Sequence, residues 1–237
     1  MVDFDFVYAE VADQYGIKGN ASVPPPVILK LMLLLVLYNV RSERELMQTL
    51  PERLDWLWFL GYDLDSELPH HSVLSKARKR WGVEVFKSFF ERIVWQCVEA
   101  GLVDGSKIFV DASLVEAQAS NNSVVDTQSL KRYLNERYKQ LEARLQEARE
   151  DRPADAGYRK VNSRYVSTTD PEAAIVRRGK PKLCYAVHRA VDGRSEIITA
   201  TEVTAGDINE AHRLMPLVDS HHRNTRRCAT TVVADSK

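Results

Sequence analysis

The hydrophobic pattern of this 237-residue chain changes near residue 104. Up to that point apolar residues recur at intervals of three and four, the spacing of helices buried along one face. Beyond it come short unbroken apolar runs, "KIFV" ending at Asp111 and "TTVVA" ending at Asp235, the pattern of strands interior to a sheet. The two periods call for separate layers, so the reading is an α+β chain: an all-helical domain over residues 1–103, then a mixed α/β sheet over 104–237. With 44% hydrophobic and 28% charged residues, both parts can bury a core and neither reads as disordered.

The formal net charge is zero, so overall charge neither implies nor excludes a nucleic-acid partner, and only local patches bear on it. Cys97, Cys184 and Cys228 are an odd, scattered set, read as free thiols rather than a disulfide scaffold or zinc knuckle. The opening residues lack the basic-then-apolar order of a signal peptide. The apolar run "PPPVILKLMLLLVLYNV" is interrupted by Lys30 and too short to span a bilayer, which makes it a core helix. A cytoplasmic protein without a membrane partner is expected.

In the helical part, Pro24, Pro25 and Pro26 precede a buried helix over 27–40, and Ser42 with Glu45 forms a capping box for the next, closed by Pro51. The tryptophans at 56, 58, 81 and 95 read as core. A further helix begins near "PHHSVLSKARKRWG", with Val73, Leu74, Ala77 and Trp81 in one quadrant, and ends at Gly82. In the second part, a long charged helix inserted at about 126–152 carries the seam Leu134, Tyr138, Leu141, Leu145 and Ala148. It either lies on the domain or forms a coiled coil. The basic polar stretch 152–181 reads as loop. "KLCYAVHRAV" and "EIITATEVT" form a hairpin turned at Asp192-Gly193, and a helix follows, capped by Asp207 with Glu210, with the stripe Ile208, Ala211, Leu214, Met215 and Val218.

Asp111 and Asp235 thus each close an apolar strand, at the edge where open α/β sheets gather ligands. If the two strands are neighbours and parallel, the carboxylates stand side by side and repel unless a cation or proton lies between them. Hard oxygen donors suit Mg²⁺ or Mn²⁺, and such ions can clamp both oxygens of an in-line phosphoryl displacement. The other reading is that both aspartates only end strands. His70-His71 and His221-His222 read as surface or capping residues, since adjacent histidines do not readily share one ion. Asp126 and Asp170 fall in loops.

The segments "PPPVILKLMLLLVLYNVRSERELMQTL", "LPHHSVLSKARKRWG", "KIFVDASLVEAQAS", "TDPEAAIVRRGKPKLCYAVHRAVDGRSEIITATEVTAGDINEA" and "VVADSK" follow one another in an order that resembles the insertion-sequence DDE transposases with an InsH-type N-terminal domain. The resemblance spans nearly the whole chain. It implies a ribonuclease-H-like catalytic core, with Asp111 as the first acidic residue and Asp235 as the second, both catalytic and metal-binding. The cofactor it implies is Mg²⁺ or Mn²⁺. The family's third acid, a glutamate on a later helix, has no counterpart in the sequence, which implies a C-terminally truncated copy that is inactive or nearly so. Other readings are a DNA-binding fragment that occupies element ends and inhibits the intact enzyme, and a decayed relic.

The partner implied is double-stranded DNA, the terminal inverted repeats and the target, with a homodimer bridging two ends. Phosphate contacts need Lys and Arg on a surface that follows the backbone. Lys76, Lys79 and Arg80, opposite the apolar quadrant of their helix, are one such surface, or else an ordinary solvated face. Arg177, Arg178 and Lys180, in the expected loop ahead of the hairpin and near the presumed active edge, are the second.

Overall fold

A computed structural model describes residues 2–15, 22–126 and 159–235. The chain divides into two compact units, Met1–Gln96 and Cys97–Lys237. The architecture is α+β: helices first, then a mixed sheet carrying a helix. Among the described residues no helix is long and apolar enough to cross a membrane.

The first unit contains α1 (Phe6–Glu10), α2 (Pro25–Leu37), α3 (Glu43–Thr49), α4 (Leu54–Leu60) and most of α5 (Ser72–Glu99). Pro25 occupies the first turn of α2, where its missing N–H costs nothing. Leu31, Leu46, Leu50 and Leu74 are fully buried in a common core with Trp56, Trp81 and Phe89. Lys30 is accommodated by donating to the Phe59 carbonyl at 3.0 Å, with its ammonium over the Phe4 and Phe59 rings. The Ser42 hydroxyl accepts from the Glu45 amide at 3.1 Å, so the N-cap of α3 forms as its sequence demands. Gly82 takes φ 71° and ψ −178° inside α5, and this kink divides the element into two helical arms. Trp58 departs from expectation. It is 78% exposed, because α4 turns Trp56, Leu57 and Leu60 inward and leaves Trp58 with Leu54 on the opposite side.

The second unit contains β1 (Lys107–Glu116), β2 (Val124–Asp126), α6 (Arg159–Asn162), β3 (Tyr165–Ser167), β4 (Ala174–Arg178), β5 (Lys180–Asp192), β6 (Ile198–Ala205), α7 (Leu214–Thr225) and β7 (Thr231–Ala234). The main sheet runs β4-β5-β1-β7, with β6 also on β5. β5 is its spine. One edge pairs antiparallel with β1, and the other pairs with β4 and then β6. β7 adds to β1 in parallel. α7 covers one face, where Ile108, Val110, Ala190, Ala200 and Leu217 form a buried cluster.

Parts of this unit differ from what the residues suggested. The stretch 152–181 is not simply loop: it contributes β3, β4 and α6. The expected helical insertion at 126–152 lies outside the described residues except for Asp126, which ends β2 and pairs with Arg164 at 2.8 Å. Asn209, not Asp207, caps the turn Glu210–Arg213 by accepting from the Ala211 amide at 3.0 Å. Asp207 instead accepts from the Asn162 side chain at 2.9 Å. The buried side of α7 carries Leu217, His221 and Thr225; Leu214 and Val218 of the expected stripe pack against the same cluster, while Met215 is 63% exposed.

Candidate active site

Along β1 the side chains alternate. Ile108 and Val110 point into the cluster under α7, so Asp111 lies on the opposite, open face. Asp111 does not end its strand: β1 continues to Glu116, held to Cys184 of β5. In the parallel pairing with β7, Phe109 meets Val233 and Val110 meets Ala234. One further step along the same register brings Asp111 beside Asp235, the residue that follows β7. Register partners share a face, and neighbouring strands lie about 4.8 Å apart. Both aspartates are exposed.

On the other side of β1, Asp111 is paired with Arg189, and Arg189 in turn with Thr201 of β6. A polar row, Thr201, Arg189 and Asp111, therefore crosses three strands of this face, and extending the β7 register by one residue continues it to Asp235. The flanking row holds Val191, Phe109 and Val233, with Phe109 41% and Val233 39% exposed. The two aspartates are recognisable in the sequence from their place after apolar runs. Arg189 is not, because nothing local distinguishes it from the other residues that alternate along β5.

The groups behind the site are fixed by buried polar contacts. Asp192 is fully buried and accepts from the amides of Gly105 at 2.7 Å, Arg194 at 3.0 Å and Ser195 at 3.1 Å. His221 of α7 is also fully buried, with Nδ1 2.7 Å from the Thr199 hydroxyl and Nε2 3.2 Å from the Gly105 carbonyl. The surface or capping role expected of His221 is thus replaced by a structural one: it ties α7 to β6 and to the entry of β1. Burial pushes its imidazole below the ordinary range, opposed by the bond to Gly105 and the charge of Asp192. Burial likewise lowers His188, which contacts the Thr204 hydroxyl at 2.8 Å.

The remaining expected positions are dispersed. Arg177 and Arg178 end β4 and Lys180 begins β5, so they form a strand hairpin turned at Gly179 rather than a loop. Lys180 is nine residues along β5 from Arg189, about 30 Å at strand rise, so this group is remote from the aspartates. Lys76, Lys79 and Arg80 are exposed on the first arm of α5, in the other unit. Arg80 lies over the Tyr15 ring at 5.0 Å, and neighbouring Arg78 is ion-paired with Glu43. Asp170 accepts from the Tyr185 hydroxyl at 2.5 Å.

The two carboxylates suit a hard cation. Mg²⁺ is commonly held by one or two carboxylates, with water and substrate phosphate completing its shell. Among the described residues, no group of three or more His, Cys, Asp or Glu side chains is placed to hold a metal ion.

Residues 1–80 match the family model described as Transposase domain (DUF772), and that match supports a transposase role. Comparison with curated proteins and with solved structures finds no match.

Proposed function

We propose that this chain is a DDE-type transposase of the InsH-like kind, acting on double-stranded DNA by metal-assisted phosphodiester chemistry in a ribonuclease-H-like sheet. The observation that carries this reading is the parallel β1–β7 register, which ends at Val110 and Ala234, the residues directly before Asp111 and Asp235. The match of residues 1–80 to a transposase domain supports DNA as the substrate class.

In this reading Asp111 and Asp235 hold Mg²⁺ or Mn²⁺. Such an ion, when bound, polarises the scissile phosphate and lowers the pKa of a bound water. The chain's own contribution is placement. Two adjacent strands hold the carboxylates at sheet spacing, and the α7 side of the sheet fixes β1 and β5 beneath them. Lys76, Lys79 and Arg80 supply phosphate contacts on the helical unit, where backbone neutralisation accounts for much of DNA affinity. Arg177 and Lys180 offer a separate basic hairpin tip for DNA away from the carboxylates.

The test is Mn²⁺ titration followed by electron paramagnetic resonance, run beside strand cleavage of terminal-repeat DNA. The wild-type chain binds Mn²⁺, and Asp111→Asn and Asp235→Asn each weaken binding by about tenfold or more, since losing even a group that only supports a ligand costs that much. Equal affinity in all three proteins refutes the metal site. Tight binding of terminal repeats with no cleavage in Mn²⁺ makes the chain a DNA-occupying protein instead of a nuclease.

A further inference from the structure

We propose that Arg189 is a phosphate-binding residue of this site, holding a non-bridging oxygen of the DNA phosphodiester beside Asp111; the proposal rests on the carboxylate reading above. Arg189 is Asp111's register partner and shares its open face. Two strand spacings, about 10 Å, separate Arg189 from Asp235, with Asp111 between them. A cation at one end of this row and a carboxylate pair at the other match the two parts of a metal-bound phosphodiester: anionic oxygens need positive charge, and the ion needs carboxylates.

Burial sets Arg189 apart from the other cations of this unit: Arg177, Lys180, Arg194 and Arg227 are exposed, and the partly buried Arg213 has an acidic partner. Lys182 pairs with Glu116, Arg213 with Glu202 and Arg164 with Asp126. Arg189 makes no ion pair or side-chain hydrogen bond among the described residues, although a carboxylate occupies the adjacent register position. Its side chain is partly buried, between the apolar positions Val187 and Val191 of the same strand face. A half-buried guanidinium left without an anion is unfavourable, and phosphate is an anion that its planar fork fits with two bonds. A cross-strand pair with Asp111 would have offered a simpler structural role, but the two side chains do not form one.

The experiment uses the full chain with Arg189→Gln and Arg189→Lys, and measures Mn²⁺ affinity and terminal-repeat DNA affinity with and without Mn²⁺. Circular dichroism and thermal melting confirm the fold of each variant. Arg189→Gln is expected to bind Mn²⁺ within about twofold of wild type while losing about tenfold or more in Mn²⁺-dependent DNA affinity, the scale of one charge-assisted phosphate contact. Arg189→Lys is expected to recover part of that loss. Unchanged Mn²⁺-dependent DNA affinity in Arg189→Gln overturns the proposal, and so does a fall in Mn²⁺ affinity itself, which would make Arg189 a support for the carboxylates. If wild type binds no Mn²⁺, the carboxylate reading fails. Arg189 is then judged on DNA affinity without metal, and equal binding by wild type and Arg189→Gln overturns its role there too.

Discussion

Val110 pairs with Ala234 at the last step of the parallel β1–β7 register, and Asp111 and Asp235 are the residues that follow them. The strands meet although the β5–β6 hairpin and α7 lie between them in sequence. Parallel neighbours require such a crossover, and here α7 packs on one face while the aspartates take the other. Apolar packing and candidate chemistry thus use opposite sides of one sheet, so a substitution can perturb either without directly removing the other.

The buried imidazoles make stability pH-dependent in a stated direction. His221 and His188 are both held below their ordinary value of 6.5, chiefly by burial, so the folded protein resists the proton that the unfolded chain accepts. Stability is therefore full above about 6.5, falls as pH drops below it, and levels off only beneath the lowered folded values. Each histidine can add a slope of up to about 1.4 kcal/mol per pH unit in that window. Urea unfolding between pH 5 and pH 7.5 should show this loss, and His221→Gln should flatten it. A midpoint that does not move with pH in the wild type would contradict the account.

Gly105 is predicted to tolerate no side chain. Its φ is +74°, and a Cβ built there would come within 2.6 Å of the Arg227 Cβ. Its amide and carbonyl are both engaged, with Asp192 and His221. A left-handed non-glycine residue costs about 1–2 kcal/mol and overpacking about 1–3 more, so Gly105→Ala should destabilise the second unit by roughly 2–5 kcal/mol in urea titrations. Gly179→Ala, where φ is +87° but no atom stands within 4 Å, should cost only the backbone part.

The basic face of α5 should govern non-specific DNA affinity. Lys76→Glu, Lys79→Glu and Arg80→Glu together are expected to weaken binding and to reduce the salt slope by about 2–3, roughly one for each phosphate no longer neutralised. Fluorescence anisotropy between 50 and 200 mM salt measures both, and the melting temperature of the helical core should hold, since all three side chains are exposed. Affinity equal to wild type at low salt would remove this surface from DNA recognition.

Much of the local structure is legible in the residues themselves. The Ser42 cap, the break at Gly82, the buried α2 and the two hairpin strands follow from residue chemistry and spacing, because each depends on neighbours only a few positions away. The two candidate aspartates are legible for the same reason, as acidic residues closing apolar runs. Where an opposing surface decides the outcome, that reading fails: Trp58 is as apolar as Trp56 but is 78% exposed, and β4 emerges from a polar stretch because β5 offers it an edge to pair with. His221 is a buried tie rather than a surface residue only because Thr199 and Gly105 come from distant parts of the chain. Residue order alone dictates that helices precede strands, and it marks the acids that follow the apolar runs. That Asp111, Asp235 and Arg189 fall in one row is settled by folding in three dimensions, since strand register is a long-range pairing that no local spacing encodes.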